Sequence, residues 1–398
     1  GCGQDNGDVD LPVNVGDTTP KPQESTDPGR DNTPGAALTR APLGGTGMIA
    51  AGSIHNVGLR TNGTIVSGGH DQYGQRRTSN WTDIVFVAAN KSATIGVKAD
   101  GSALFAGEMT GSEAVSGWSN VYMAAMGGDF AVALLNDGTV TGTSGAPDVS
   151  AWSDMVWVAA GESFAIGLKS DGTVAATTGA PDVSAWTNMV KIAASADRVA
   201  GITAEGKLVA SISTAAFDAN SDYTALDIGA AGLVAVRADG SVVAAMEVEA
   251  DNDPLVYADS KDITAVKNAV SVAVGDTHAV VMDRTGYAYA YGKNTDLQCD
   301  VGTFNLRPYV ENVNGASYIR GIEIGSTVEQ AKKLIALFTG AESVAITKAD
   351  GSEAADTDTV ATGMKAGDVG EIVIMGDGNG DGAVTEEDSE LIDAILTK

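Results

Sequence analysis

One pattern recurs seven times between residues 46 and 314, and it constrains the fold more than any other feature of the chain. Each copy has a pair of small residues, a short loop, an apolar strand, a tight turn ending in Gly, and a second strand. FVAANKSATIGVKADGSALF and WVAAGESFAIGLKSDGTVAA are two examples. The turn glycines are Gly63, Gly101, Gly138, Gly172, Gly206, Gly240 and Gly286, spaced by 38, 37, 34, 34, 34 and 46 residues. Asn-Gly and Asp-Gly between alternating apolar runs mark two-residue hairpins, because type I′ turns need positive φ at both central positions. A second landmark precedes four of the small pairs: a tryptophan at 81, 118, 152 and 186, followed by Thr or Ser and then Asp or Asn. The octapeptide GAPDVSAW occurs twice, at 145–152 and 179–186. Repeats this alike occupy equivalent structural positions.

A period near 37 residues, carrying three or four short strands, is that of a β-propeller blade. The predicted fold is mainly β, a seven-bladed β-propeller over residues 46–314. The small pairs, such as Ala50-Ala51 and Ala159-Ala160, suit the innermost strand, where seven blades crowd a narrow axis. The tryptophans suit blade-to-blade packing better than ligand stacking. Closure should join sequence near 40–50 to sequence near 295–312, since a ring removes exposed edges.

The repeats resemble those of the regulator-of-chromosome-condensation family. Ala50-Ala51-Gly52, His55, Asn62-Gly63 and the loop His70-Asp71-Gln72-Tyr73-Gly74-Gln75 carry the resemblance. Gly275, His278 and Tyr291-Gly292-Lys293-Asn294 repeat it more loosely. It implies the propeller fold, and a ring face that serves as a protein-binding platform, as in a secreted propeller-type β-lactamase inhibitor of the same family. The loops after the small pairs and after the second hairpin strands emerge on one face. Blades 1 and 7 are neighbours in a closed ring. His70, Asp71, Gln72 and Tyr73 should therefore form one patch with Tyr291, Lys293 and Asn294. His55 and His278 share one repeat column with Ala93, Phe164 and Arg198, so that column reads as structural.

Net charge is −28, from 24 basic and 52 acidic residues. A chain so acidic is repelled by nucleic-acid backbones and anionic membrane surfaces. No apolar run reaches the length of a membrane-spanning helix. Two cysteines, Cys2 and Cys299, are too few for a disulfide framework. No nucleophile elbow, Walker loop or HExxH occurs. Residues 1–45 hold six of the ten prolines and no aromatic residue, which reads as an acidic, Pro-rich, disordered tether. Cys2, behind Gly1, resembles the lipidated start of a bacterial lipoprotein and implies an extracellular, surface-anchored protein.

Past residue 314 the repeat stops. Residues 315–375 read as a small α+β module: a strand at 318–324, and a helix opened by a Ser326–Glu329 capping box. Further strands are expected around 343–351, 359–364 and 371–375. The module resembles those that precede dockerins. Residues 376–398 then carry Asp377-Gly-Asn379-Gly-Asp381-Gly382. Calcium takes six to eight hard oxygens, supplied in such loops at positions 1, 3, 5, 7, 9 and 12. Here those are Asp377, Asn379, Asp381, the carbonyl of Ala383, Thr385 and Asp388. Asp at position 12, followed by an apolar helix pattern, resembles a dockerin half, which implies bound Ca²⁺ and a cohesin-like partner. The expected function is a secreted or surface-tethered, non-enzymatic binding protein with a protein or glycan on its propeller. Two rivals stay open: a carbohydrate-active enzyme of polysaccharide degradation, and a structural surface protein without a ligand.

Overall fold

A computed structural model describes residues 48–247, 262–302, 304, 306, 308–313, 315–322, 325–339, 343–374 and 382. Seven three-stranded antiparallel sheets succeed one another along the chain. Blade 1 is β1 (Met48–Ala51), β2 (His55–Leu59) and β3 (Ile65–Gly69). Blade 2 is β4 (Ile84–Ala89), β5 (Ala93–Lys98) and β6 (Ala103–Gly107). Blade 3 is β7 (Val121–Met126), β8 (Ala131–Leu135) and β9 (Val140–Gly142). Blade 4 is β10 (Met155–Ala160), β11 (Ala165–Lys169) and β12 (Val174–Ala176). Blade 5 is β13 (Met189–Ser195), β14 (Arg198–Thr203) and β15 (Leu208–Ala210). Blade 6 is β16 (Tyr223–Gly229), β17 (Gly232–Arg237) and β18 (Val242–Met246). Blade 7 is β19 (Ala269–Val274), β20 (His278–Asp283) and β21 (Ala288–Gly292). The first strand of each blade adjoins the first strand of the next, and β19 returns to β1, so the seven sheets form a ring with the small-residue strands innermost.

The seams repeat one hydrogen-bond scheme. The carbonyl of each hairpin glycine accepts the N–H that opens the next inner strand: Gly63 from Ile84 at 3.0 Å, Gly101 from Val121 at 2.9 Å, Gly138 from Met155 at 3.0 Å. At the last seam, Gly286 accepts instead from Leu306 at 2.9 Å, and the Leu306 carbonyl accepts from Thr61 at 3.0 Å. Among the described residues, closure therefore involves 48–51 together with Gln298, Val301, Phe304 and Leu306. No described strand of blade 7 pairs with blade 1. Phe304 and Leu306 are wedged beside Gly58, while Val301, Phe304 and Ile49 share an apolar cluster with Ala273 and Val280.

The tryptophans pack as expected. Trp81 is buried among Val57 and Leu59 of blade 1 and Ile84 and Val87 of blade 2. Its ring lies over Gly96; a Cβ there would sit 2.7 Å from it. Gly167 opens the same slot for Trp152 and Gly201 for Trp186. The Asp or Asn two residues after each tryptophan turns the chain into the inner strand. Asp83, Asn120, Asp154 and Asn188 have φ of 60°, 59°, 60° and 58°. This left-handed region costs Asp and Asn less than other side chains.

The second module differs in detail from the sequence reading. A five-stranded sheet runs in the order β22 (Tyr309–Val313), β23 (Ala316–Arg320), β26 (Gly370–Ile372), β25 (Lys365–Ala366), β24 (Ile346–Thr347). Residues 309–313, expected to lie within the propeller, form β22, which hydrogen-bonds β23. The expected strand at 359–364 does not form; Val360 and Ala361 are instead packed beneath helix α1 (Val328–Thr339). The cap is shifted by one residue. Thr327 N–H donates to Gln330 Oε1 at 2.8 Å and Gln330 N–H to Thr327 Oγ1 at 3.3 Å, so Thr327 and Gln330 form the box. Glu329 pairs instead with Lys333 at 2.7 Å, one turn along.

Candidate binding face of the propeller

Loops after the inner strands and after the third strands share one face: His70 N–H donates to the Ile54 carbonyl at 2.9 Å and Glu108 N–H to that of Ser92 at 3.1 Å. Backbone and side-chain bonds lace the inner loops together. Asn90 Nδ2 donates to the Gly127 carbonyl at 2.9 Å, Glu162 N–H to Ala196 at 2.6 Å, Ala231 N–H to Gly275 at 3.1 Å, and Thr277 Oγ1 to Ser53 at 2.7 Å. A face held this way presents its outer loops on a rigid base.

Two of those outer loops are the same structure built twice. In 70–75 and 293–298, a glutamine closes the loop: Gln75 Oε1 accepts from Tyr73 N–H and Gln298 Oε1 from Asp296 N–H, each at 2.9 Å. Asp71 Oδ1 accepts from Arg76 N–H at 2.8 Å, and Asn294 Oδ1 from Cys299 N–H at 2.7 Å. The Gln75 carbonyl then accepts from Thr94 Oγ1 at 2.8 Å, and the Gln298 carbonyl from Asn56 Nδ2. Behind them stand the two histidines. His55 Nε2 lies 3.1 Å from Thr94 Oγ1, and His278 Nε2 bonds Asn56 Oδ1. Each histidine thus pins its blade to the next. Burial drives both imidazoles towards neutrality, aided by the Arg76 charge at His55 and by His55 at His278; their pKa values fall to about 4 and about 3. They are structural, as the varied repeat column implied.

The structure brings part of the expected patch together. His70 Nε2 lies 4.0 Å from Asp296 Oδ1, so the loops of blades 1 and 7 adjoin. Gln72, Tyr73 and Lys293 are exposed, while Asp71 and Asn294 serve as loop braces. Tyr291 does not join them. Along β21, Ala288 and Ala290 face the cluster shared with blade 1, and Tyr289 and Tyr291 face the cluster shared with blade 6. The residue the sequence reading missed is Leu297. It stands where the other loop has Gly74, in the same left-handed conformation (φ 62° against 76°), and is 62% exposed. The signal available was a leucine aligned with a glycine. At the end of blade 6, Glu247 pairs with Arg198 at 2.7 Å; 248–261 lie outside the described residues.

The axial channel opens on the same face, with a volume of about 220 Å³. Lys91 and Glu162 pair across its mouth at 2.7 Å. Inside lie Lys191 and Asp227. Asp227 Oδ2 accepts the Val274 N–H at 2.7 Å, and enclosure by protein raises its pKa to about 6 despite that bond, the Ile228 N–H and the Lys191 charge. Among the described residues, no three His, Cys, Asp or Glu side chains converge to hold a metal. The expected calcium ligands Asp377, Asn379, Asp381, Ala383, Thr385 and Asp388 lie outside the described residues, as does Cys2. Gly382 within that loop is described: its φ is 82°, and it lies against Thr359, Val360 and Ala361 of the second module.

No family model matches this chain, and no curated protein matches it. Solved structures do. The ectodomain of the receptor kinase CR4 from Physcomitrella patens is 13% identical, with a TM-score of 0.47 over 62% of this chain and 72% of that one. The CRINKLY ectodomain of the receptor kinase ACR4 from Arabidopsis thaliana is 14% identical, with a TM-score of 0.45 over 61% of this chain and 94% of its own. Prp20p of Saccharomyces cerevisiae, whose structure was described with its binding to Gsp1p and histones, is 17% identical, with a TM-score of 0.37 over 65% and 74%. The propeller assignment rests on the seven sheets and their closed ring.

Proposed function

We propose that this chain is a non-catalytic, extracellular protein-binding propeller whose binding patch straddles the seam of blades 7 and 1. One observation carries the reading: two rigid, braced loops meet there and expose Tyr73 and Leu297, 39% and 62% accessible, on an otherwise polar rim. An aromatic and an aliphatic group beside His70, Gln72, Lys293 and Asp296 form the kind of small apolar centre with a polar edge that anchors protein interfaces. The exposed leucine favours a protein over a glycan, because sugars stack on rings rather than on aliphatic tips. Residues 377–388 add a Ca²⁺ site that supports assembly through a cohesin-like partner, and Cys2 a lipid anchor. The motif spacing supports the calcium site, as does the left-handed Gly382 where the loop must reverse.

The test compares wild type with the double variant Tyr73→Ala, Leu297→Gly in affinity capture from the secreted proteome of the source cells, followed by surface plasmon resonance with the captured partner. Loss of one specific partner by a factor of ten or more supports the patch. Equal capture by both proteins refutes it, and hydrolysis of any glycan by wild type establishes the enzyme instead. Calorimetric titration of the intact chain with Ca²⁺ should give one site that Asp377→Ala with Asp381→Ala removes; no heat from wild type would overturn the calcium reading.

A further inference from the structure

The twin loops at the seam of blades 7 and 1 are tied differently to the blades behind them. In blade 7 the residue before the buried histidine is Thr277. Its hydroxyl accepts from Gln298 Nε2 at 3.2 Å, donates to the Ser53 carbonyl at 2.7 Å and lies 3.4 Å from His278 Nδ1. In blade 1 the same position is Ile54, whose side chain has no polar atom. The counterparts of the two atoms gathered by Thr277 are Gln75 Nε2 and His55 Nδ1. Both residues are wholly buried, and among the described residues neither atom has a hydrogen-bond partner. The loop that carries Tyr73 is thus clasped by fewer bonds than its twin, and it leaves two buried polar groups unsatisfied, which is costly.

The bonds around His55 fix where its proton sits. Thr94 Oγ1 gives its own proton to the Gln75 carbonyl at 2.8 Å, so the proton in the 3.1 Å contact with His55 belongs to Nε2. Nδ1 then carries a lone pair. By the pattern of the twin, it and the Gln75 amide both point towards position 54, and a lone pair and a donor suit each other. Protonation makes Nδ1 a second donor, facing an amide donor and an isoleucine. Gln75 is also the clasp of the loop: its Oε1 holds Tyr73 N–H and its carbonyl holds Thr94. The charges felt at His55 are Arg76, which opposes the proton, and Asp71, which favours it; His278, the other buried imidazole, feels His55 in turn. Arg76 is held in place by the carbonyls of Gly69 and Ser67 at 2.6 and 2.9 Å. Within the loop, His70 Nδ1 accepts from Gln72 N–H at 3.2 Å, and its Nε2 faces Asp296.

We propose that the loop 70–75 is an acid-released latch: protonation of His55 unseats Gln75, and the loop swings Tyr73 out of the binding patch. The proposal rests on the reading of that seam as the binding patch and adds its regulation. At neutral pH the loop is braced as described; in acid, the open loop gives the imidazolium water as its partner. His55 takes up its proton near pH 6.5 when solvated and only at about 4 when the loop is seated. Opening is therefore favoured as pH falls below 6.5, and its equilibrium constant rises about twentyfold between pH 7 and pH 5. A protein held through Tyr73 and Leu297 is released over that interval.

Amide hydrogen exchange of the full chain, corrected for the intrinsic rate at each pH, reads the latch. Tyr73 N–H reports the loop, and Asp296 N–H, bonded to Gln298 Oε1 at the same 2.9 Å, is the internal comparison. From pH 7 to pH 5 the protection of Tyr73 should fall at least tenfold, with Asp296 the better protected at both. His55→Gln should remove that pH dependence, which separates His55 from His70. Ile54→Thr, which supplies the hydroxyl of the twin, should raise the protection of Tyr73 towards that of Asp296. Equal wild-type protection of Tyr73 at pH 7 and pH 5 overturns the proposal, as does a fall that persists in folded His55→Gln. The wild-type comparison stands even if a variant folds poorly. Constant protection refutes the latch and not the patch, whereas equal capture by wild type and the Tyr73→Ala, Leu297→Gly variant refutes the patch and not the latch.

Discussion

At the scale of single residues, the informative positions are those that depart from their repeat column. His55 and His278 stand neutral in the core, with pKa values depressed from 6.5 to about 4 and about 3. The unfolded chain binds those protons first as pH falls. Their stabilisation is therefore complete above about pH 6.5 and is lost as pH drops towards 4 and 3. At about 1.4 kcal/mol per unit, the pair is worth several kcal/mol. Urea midpoints should fall between pH 7 and pH 5.5, and less so for His278→Asn. Asp227 acts in the opposite sense. Its raised pKa means the folded state pays for ionisation above about pH 6 and is relieved as pH falls towards 3.8. Asp227→Asn should raise the unfolding temperature at pH 8 and have little effect near pH 4. Leu297 departs differently. A leucine at φ 62° costs on the order of 1 kcal/mol relative to a residue at ease there, so Leu297→Gly should fold at least as stably as wild type while losing the proposed partner. None of these was legible as function in the sequence. The histidine column was readable as structural because it tolerates Ala, Phe and Arg. Asp227 was hidden because the Ala230-Ala231 pair of blade 6 lies just past its inner strand, out of register with the small pairs of the other blades.

At the scale of the element, the blade was almost wholly legible. Its small pair, Asp-Gly turn and tryptophan are each dictated by a local steric demand. What stayed unread was the complement of the tryptophan, a glycine in the middle strand that makes room for the ring. Gly96→Ala would set a Cβ 2.7 Å from Trp81 and should cost about 1–3 kcal/mol, measured by chemical denaturation with the tryptophan signal as reporter. The helix cap was misread by one residue because Ser326–Glu329 and Thr327–Gln330 both fit the capping-box spacing. The backbone chose the second, with Val328 buried and Ser326 carbonyl engaged by Val360 N–H at 2.8 Å. Thr327→Ala should destabilise the second module by about 1 kcal/mol, and Ser326→Ala by less.

At the scale of the whole molecule, the ring and its number of blades followed from counting turn glycines, but the manner of closure did not. The sequence near 300 carries no repeat signature, yet Phe304 and Leu306 cover Gly58 of blade 1 as a tryptophan covers the middle-strand glycine of blades 2, 4 and 5. Phe304→Ala should cost about 3–5 kcal/mol, and unfolding should stay a single transition for the propeller if the seams act together. The same closure fixes a direction. The inner strand of blade 1 begins with Met48 opposite Leu59, one residue from the hairpin that Leu306 caps through Thr61. The chain thus enters and leaves the ring on its hairpin side. The loop face with Tyr73, Leu297 and the channel mouth lies at the other end of the ring axis from these points of entry and exit, so the described residues that lead into and out of the ring do not cross it.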